Sequence, residues 1–330
     1  MIISWNTTRK CHLKCPHCYR DAGEKDPREL DTYEGKRLLD EIAKAGFKII
    51  ILSGGEPLYR QDIFELTGYA FQKGLHPVFG TTGTTLDLYT VQRLKSAGAQ
   101  CLGISLDSCD PVVHDAFRGV NGAWDKAIQG MQLCAREELP FQINTTAVAQ
   151  NHGEIENITD LAQEIGARAH HVFFLVPTGR GREITDEMLT PVQSEKLLKR
   201  ILQKQQSSKI EIKPTCAPQF MRLAKQMDLT MRFTRGCLAG LSYCCILPDG
   251  EVHPCPYLPL SAGNIREIPF DKIWKEASLF HEMRHGELNG KCGVCRYSKE
   301  CGGCRARAYY ESSDVMGEDN WCLYGKEVNK

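Results

Sequence analysis

Short apolar runs alternate in the first half of the chain with longer stretches whose apolar residues recur every three or four positions. The short runs predict strands, and the longer stretches predict amphipathic helices. The six predicted strands are Ile2–Trp5, Ile49–Leu52, Pro77–Thr81, Cys101–Leu106, Phe141–Thr146 and His171–Val176. The helices predicted between them are Thr32–Ala45, Asp62–Lys73, Leu88–Ala97, Ala123–Glu137 and Glu154–Ile165.

This order of elements favours an α/β fold. Strand starts lie about 25–35 residues apart with a helix between them, which indicates parallel strands joined by right-handed crossovers. Most strands are apolar on both faces, as expected when helices cover one face and a core the other. We predict a partial (β/α)6 TIM-like barrel over residues 1–182, with a doubly wound sheet as the alternative. In either fold, functional residues lie at the carboxyl ends of the strands.

The pattern changes after the sixth strand. Residues 183–236 are interpreted as a helical linker region, with Thr190 and Pro191 as the N-cap and first residue of a charged helix. Residues 237–330 are rich in Cys, Gly and Pro and show little periodicity. Such a segment has little apolar core of its own, so we predict that it needs bound metal to fold.

Charge and cysteine content narrow the function classes. The 330 residues include 41 Lys and Arg against 41 Asp and Glu, which argues against bulk electrostatic capture of nucleic acid or of an anionic membrane. The start lacks the features of a signal peptide, and no apolar run is long enough to span a bilayer. We therefore expect a cytoplasmic protein with no nucleic-acid or membrane partner. In a reducing compartment, 16 cysteines favour metal or cluster binding over a disulfide framework.

Three cysteines directly follow the first predicted strand with the spacing Cys-x3-Cys-x2-Cys. They are Cys11, Cys15 and Cys18. Three thiolates are one fewer than a closed tetrahedral site needs, but they suit a 4Fe–4S cluster that keeps one iron open to an outside ligand. A zinc site closed by His12 or His17 is the alternative.

The second predicted strand runs into Gly54, Gly55, Glu56 and Pro57. Adjacent glycines let the backbone come close to a ligand, and Glu56 adds an acceptor at the strand end. Alone this segment is an ordinary strand-to-helix turn. Together with the cysteine triplet one strand earlier, it favours the open-cluster interpretation.

These two motifs resemble those of the radical S-adenosylmethionine (SAM) superfamily, and the resemblance covers roughly residues 1–182. It implies that the cysteine triplet holds a 4Fe–4S cluster whose open iron binds SAM. The SAM contacts that it implies are His17, Gly54, Gly55, Glu56, Ser105 and Asn144. For Ser105 and Asn144, an ordinary role as polar strand-end residues is the alternative. Thr82 stands where relatives commonly carry Asn.

Nine further cysteines lie near the C-terminus: Cys237, Cys244, Cys245, Cys255, Cys292, Cys295, Cys301, Cys304 and Cys322. Their spacing resembles the SPASM extension of radical SAM enzymes, although the interval before Cys304 is one residue shorter. The resemblance implies one or two auxiliary iron–sulfur clusters. One predicted ligand set is Cys292, Cys295, Cys301 and Cys322; the other is Cys237, Cys255 and Cys304 with either Cys244 or Cys245. The remaining scattered cysteines, Cys101, Cys109, Cys134 and Cys216, are interpreted as core or incidental thiols.

Two arginines follow the sixth predicted strand. Arg180 and Arg182 are predicted to bind substrate carboxylates, with solvated side chains as the alternative. The stretches Val176–Gly181, Cys301–Tyr309 and Gly317–Asp319 are similar to the NirJ and alternative haem-synthesis group. That similarity implies a small-molecule iron tetrapyrrole substrate, oxidative decarboxylation of iron-coproporphyrin III propionates to vinyls, and a reductant such as flavodoxin or ferredoxin. A SPASM-type peptide maturase and a non-catalytic zinc-binding module are the alternatives.

Overall fold

A parallel sheet runs through the computed structural model, which describes residues 1–325; the last five residues of the predicted 237–330 unit lie outside this range. Its first seven strands follow chain order: β1 (Ile2–Thr8), β2 (Ile49–Gly54), β3 (His76–Thr81), β4 (Cys101–Ser105), β5 (Phe141–Ala147), β6 (Ala169–Phe174) and β7 (Glu211–Thr215). Each strand pairs in parallel with the next. The six predicted strand-helix units are therefore confirmed, and β7 adds a seventh strand beyond residue 182.

Helices connect these strands: α1 (Thr32–Lys44), α2 (Ile63–Gln72), α3 (Leu88–Ser96), α4 (Pro111–Arg118), α5 (Ala123–Arg136), α6 (Ile155–Glu164), α7 (Pro191–Ser207) and α8 (Gln219–Gln226). Side-chain caps fix several of their starts. Asp31 forms a capping box with Glu34 at α1, and Thr190 forms one with Gln193 at α7. Among the helices of residues 1–325, none combines the length and apolar character needed to cross a bilayer.

The C-terminal region joins the same sheet. Its strands are β8 (Tyr243–Ile246), β9 (Glu251–His253) and β10 (Gly263–Asn264), and its helices are α9 (Phe270–Glu276), α10 (Ser278–His285), α11 (Gly290–Gly293) and α12 (Arg305–Ser312). Strand β8 lies parallel to β1 on the side opposite β2, and β9 and β10 continue antiparallel from it. The ten-stranded order is β10-β9-β8-β1-β2-β3-β4-β5-β6-β7. This connection places Cys245 beside the loop that follows β1, where Arg20 donates to its sulfur over 3.6 Å.

A continuous apolar core lies between the sheet and its helices and holds the strand ends in place. Trp5 of β1 is fully buried and packs against α1, where a Cβ on Gly35 would come within 2.8 Å of its ring. Leu38, Leu39 and Ile42 are the other buried residues of that helix. Complete burial of one such aliphatic side chain contributes about 1.5–3 kcal/mol. The rigid sheet thereby gives the loops at its carboxyl edge fixed positions.

Candidate functional site

The loop after β1 brings three thiols together. It is anchored where the Cys11 N–H donates to the Gly23 carbonyl over 2.8 Å. Burial, together with negative charge on Glu56, Cys15 and Cys18, raises the pKa of Cys11 to about 11. The three side chains thus lie close enough to sense each other's charge, as ligands of a single cluster must.

Two arginines from other elements hold this loop. Arg180 donates from Nε to the Cys15 carbonyl and from Nη1 to the Ala22 carbonyl, both over 2.9 Å. Arg118, at the end of α4, donates from Nη1 to the Cys15 sulfur over 3.9 Å and accepts the Lys14 N–H at its carbonyl over 3.1 Å. Sequence reasoning missed Arg118, because nothing in its local pattern points back to the cysteine loop.

The arginines predicted to bind substrate differ in their surroundings. Arg180 uses two of its donors to fix the cysteine loop, so its first role in this structure is positional. Arg182 is exposed, on the short turn Gly179–Arg182 that follows β6. A substrate contact by either residue stays a prediction.

Strand β2 ends against the start of the cysteine loop with no space for side chains. A Cβ on Gly54 would lie 2.3 Å from the Thr8 carbonyl oxygen, and one on Gly55 would lie 2.3 Å from the Lys10 carbonyl oxygen. Gly54 also has a φ of +132°, which side-chain-bearing residues rarely adopt. Both glycines are therefore required by the close packing of two backbone segments, and this packing sets Glu56 beside the cysteines.

Glu56 is fully buried and accepts several hydrogen bonds. The Thr81 hydroxyl donates to it over 2.8 Å, the Thr82 N–H over 2.8 Å and the Thr82 hydroxyl over 2.7 Å. Burial raises the pKa of Glu56, while these hydrogen bonds oppose the rise. Thr82 thus supports the carboxylate directly. A buried carboxylate held in this way fits a cationic group of a ligand, because a cation would offset the cost of burying its charge.

His17 lies on the inner side of the cysteine loop. Its ring stacks on Phe117 with centroids 4.0 Å apart and an interplanar angle of 15°. Burial lowers its pKa to about 3, so the ring is neutral at physiological pH. Its Nδ1 atom is buried and has no hydrogen-bond partner among residues 1–325. An unsatisfied buried acceptor or donor of this kind fits a site that is completed by a bound molecule.

Ser105 and Asn144 are register partners on β4 and β5, so their side chains project from the same face of the sheet. The Ser105 hydroxyl donates to the Thr81 carbonyl over 3.4 Å, and the Asn144 Oδ1 accepts from Gln142 over 2.9 Å. Gly103 leaves room for the amide, because a Cβ there would lie 2.6 Å from the Asn144 Nδ2. The structure therefore places both predicted SAM contacts side by side, and their role stays a prediction.

The C-terminal cysteines assemble into two groups. The first cysteine group consists of Cys216, Cys237, Cys255 and Cys304. Burial raises the pKa of the Cys216, Cys255 and Cys304 thiols, and charges within the group raise it further. The second cysteine group consists of Cys292, Cys295, Cys301 and Cys322, which line one cavity. Burial, together with negative charge on Cys322, Asp319 and Cys292, raises the pKa of Cys301 to about 12.

Cys244 lies in the main core, apart from the first cysteine group, whereas Cys245 lies near that group, because Arg20 Nη2 donates both to the Cys245 sulfur and to the carbonyl of Pro256, the residue after Cys255. Cys244 faces the core side of β8, and Cys245 accepts from the Asn6 amide over 3.5 Å and from the Arg20 guanidinium over 3.6 Å on the opposite face. Cys216, interpreted as incidental from the sequence, lies among the thiols of the first cysteine group, and the choice of its fourth ligand stays a prediction. The available signal was its position directly after β7, at the functional edge of the sheet.

The donor sets consist of three or four thiols each, and thiolates are the ligands that hold iron–sulfur clusters. Within residues 1–325, no three or more His, Cys, Asp or Glu side chains are arranged as ligands of one metal ion. A single zinc ion draws its ligands to about 2.0–2.3 Å from one centre. A cluster distributes its thiolates over several irons and therefore needs them farther apart.

Comparison with known proteins identifies the family of the chain. The family profile "Radical SAM superfamily" matches residues 5–162, and the SPASM profile, "Iron-sulfur cluster-binding domain", matches residues 237–304. The chain is 43% identical to an AdoMet-dependent heme synthase of Methanosarcina barkeri, over 98% of this chain and 96% of that protein. It is 40% identical to an AdoMet-dependent heme synthase of Nitratidesulfovibrio vulgaris, over 98% and 92%.

A solved structure with a similar fold is that of Streptococcus suis SuiB bound to the precursor peptide SuiA. It superposes with a TM-score of 0.80 over 97% of this chain and 75% of that chain, at 18% identity. This confirms the predicted partial barrel with a cysteine-rich C-terminal domain. The family's cofactors are a 4Fe–4S cluster with SAM and auxiliary iron–sulfur clusters. The chain belongs to the radical SAM superfamily, as an enzyme with a C-terminal SPASM-type domain.

Proposed function

We propose that this enzyme modifies carboxylate side chains of an iron tetrapyrrole in haem biosynthesis, and that it converts two propionates of iron-coproporphyrin III to vinyls by oxidative decarboxylation. The observation that carries the proposal is the identity of 40–43% to two AdoMet-dependent heme synthases over 98% of this chain. AdoMet is another abbreviation of SAM. A match of this length includes the barrel and both cysteine-containing regions.

The residues around the β1 loop are suited to hold SAM and its cluster. When bound, SAM on a reduced 4Fe–4S cluster supplies a 5′-deoxyadenosyl radical that takes a hydrogen atom from an unactivated C–H bond. We assign the cluster to the three thiols of the β1 loop, and the SAM amino group to Glu56. His17, Ser105 and Asn144 would contact the rest of SAM. The burial of Glu56 keeps water away from the carboxylate that would bind the SAM amino group.

The proposed reaction fixes what must enter and leave the site. For each propionate, a hydrogen atom leaves the β-carbon, the bond to the carboxylate breaks, CO2 departs and one electron is removed to give the vinyl. Cleavage of the sulfonium bond of SAM consumes one electron. The overall conversion is therefore electron-neutral, but it needs a donor for the first electron, such as a flavodoxin or ferredoxin, and an acceptor for the last.

The two cysteine groups provide sites for auxiliary clusters that suit this demand for an acceptor. We assign Cys216, Cys237, Cys255 and Cys304 to one cluster and Cys292, Cys295, Cys301 and Cys322 to the other. Each group offers four thiols, so neither needs an outside ligand. Because burial raises the thiol pKa in both groups, cluster assembly must release protons there.

A peptide substrate is the alternative within this family. The structure of SuiB with a precursor peptide is similar in fold, but at 18% identity the likeness extends to the fold alone. The haem synthases are more than twice as identical in sequence. The tetrapyrrole substrate is therefore the better supported proposal.

Anaerobic incubation of the reconstituted enzyme with SAM, dithionite and iron-coproporphyrin III tests the proposal. We expect a porphyrin mass decrease that matches oxidative decarboxylation of two propionates, with one 5′-deoxyadenosine formed per vinyl. Cys15→Ala is the control for chemistry that does not depend on the SAM cluster. Formation of 5′-deoxyadenosine with the porphyrin unchanged would refute the proposed substrate.

A further inference from the structure

A buried ion pair lies between the two cysteine groups. Arg307 of α12 donates from Nε and Nη2 to the two carboxylate oxygens of Asp319, each over 3.0 Å. The side chains are 2% and 0% exposed. Asp319 lies in the segment that leads from α12 to Cys322, so it stands between ligands assigned to different clusters.

Asp319 contacts both groups directly. Its backbone N–H donates to the Cys292 sulfur of the second cysteine group over 3.4 Å. Its Oδ2 atom accepts the backbone N–H of Cys304, in the first cysteine group, over 2.8 Å. Arg307 adds a contact to the first cysteine group, since its Nη1 donates to the Cys216 carbonyl over 3.0 Å. One residue pair therefore spans the gap between the two assigned cluster sites.

Stability alone does not explain this pair. Removing two charges from water is costly, and replacement of a buried pair by well-packed apolar residues is often neutral or stabilising. The same burial makes each charge effective on its neighbours, because little solvent screens it. A carboxylate near a cluster disfavours addition of an electron, whereas a guanidinium favours it.

We propose that Asp319 and Arg307 are positioning residues that link the two auxiliary cluster sites, and that the two residues have opposite effects on the reduction potentials of both clusters. Asp319 lowers the potentials, and Arg307 raises them. The hydrogen bonds of Asp319 to a residue of each group also fix the two sites relative to each other. This proposal rests on the cysteine assignments made under the proposed function.

The test compares potentials in the reconstituted holoenzyme. Iron and acid-labile sulfide per chain are measured first, followed by redox titration of the auxiliary clusters monitored by electron paramagnetic resonance. We expect Asp319→Asn to shift both auxiliary potentials upward and Arg307→Gln to shift both downward. Arg307→Lys keeps the charge and should stay close to wild type. A role limited to shape would give the Lys and Gln variants similar values.

Glu318→Gln is the matched control, because this neighbouring carboxylate is partly exposed and accepts the Lys291 N–H. Its potentials should match those of wild type. Shifts in the same direction for Asp319→Asn and Arg307→Gln, at full iron content, would overturn the proposal. If Asp319→Asn loses iron, the Gln and Lys variants of Arg307 decide the outcome alone. Wild-type protein with iron for only one cluster would instead contradict the cysteine assignments.

Discussion

The proposed SAM site and the proposed auxiliary sites use the same thiol chemistry but are assembled in different ways. Cys11, Cys15 and Cys18 lie on one loop of eight residues, directly after β1. The first cysteine group draws its thiols from segments as distant as Cys216 and Cys304. The β1 loop alone brings its three thiols together, whereas the first cysteine group exists only once the sheet and the C-terminal helices have packed together.

This difference separates two kinds of dependence on the fold. A local set can keep its spacing when distant parts of the molecule loosen. A set built from distant segments holds those segments together when its cluster is bound, so binding free energy there also becomes folding free energy. We therefore expect substitutions in the cysteine triplet of the β1 loop to abolish SAM cleavage. Substitutions in the first cysteine group should lower both the iron content and the stability of the fold.

The largest expected effect comes from Cys15→Ala. Cys15 is the middle thiol of the loop and is also held by Arg118 and Arg180. Its removal leaves two thiols, so SAM cleavage should fall to the level of a sample without protein. The measurement is 5′-deoxyadenosine formed under anaerobic reduction. Cys101→Ala removes a thiol outside the three groups and should retain cleavage. Retained cleavage in Cys15→Ala would show that the assignment is wrong.

The next largest effect is expected from Cys216→Ala, with Cys244→Ala as its control. Cys216 lies among the thiols of the first cysteine group, whereas Cys244 is fully buried on the core side of β8. Cys216→Ala should lose the iron of one auxiliary cluster while the SAM cluster remains. Cys244→Ala should keep its full iron content. Iron analysis and the paramagnetic signals of the reduced clusters distinguish the two variants, and the reverse result would restore the original sequence-based assignment.

The difference between local and distant contacts also explains which features could be predicted from the sequence. The predicted strands and helices are confirmed with small shifts at their ends, because apolar periodicity and caps such as Asp31 are local signals. The Cys-x3-Cys-x2-Cys loop and the glycine turn are local as well. Cys216 was missed because its partners are brought to it only by the path of the chain after β7. Arg118 was missed for the same reason, since it contacts Cys15 about 100 residues earlier. Asp319 was noted only as part of the stretch Gly317–Asp319, and its contacts to Cys292 and Cys304 were not predicted.

Gly55→Ala should have a smaller effect on the SAM site than loss of a thiol. The added methyl would lie 2.3 Å from the Lys10 carbonyl oxygen and 2.7 Å from that of Arg9. These are backbone atoms, so the β1 loop must shift, at a cost of about 1–3 kcal/mol. Since the β1 loop carries the ligand-binding conformation, this cost should weaken SAM binding by roughly 5- to 150-fold.

Equilibrium binding of SAM to the reconstituted enzyme measures this effect. Gly153→Ala is the matched control, because a Cβ at Gly153 meets no atom within 4 Å. Unchanged SAM affinity in Gly55→Ala would mean that the two backbone segments can separate without disturbing the site. The cysteine triplet of the β1 loop would then depend less on β2 than the structure indicates.

Acidification should produce the smallest effect and act on the barrel away from all cysteine groups. His170 of β6 is fully buried between the hydroxyls of Thr145 and Thr159, each 2.8 Å from a ring nitrogen. Burial lowers its pKa to about 3 from an ordinary value of 6.5. The ring therefore binds a proton below about pH 6.5 in the unfolded chain but only below about pH 3 in the folded chain. The free energy of unfolding consequently decreases as the pH falls from 6.5 to 3.

Between pH 7 and pH 5.5 this residue alone should reduce the free energy of unfolding by about 1 kcal/mol. His170→Gln removes the titrating ring, so the free energy of unfolding should decrease by about 1 kcal/mol less over this pH range than in wild type, whatever the absolute stability of the variant. His76→Gln changes an exposed ring and should leave the slope unchanged. Chemical denaturation at several pH values, with matched cluster content, provides the slopes. An identical slope in His170→Gln and wild type would show that the ring takes up its proton inside the fold at its ordinary pKa, and that this part of the barrel admits water.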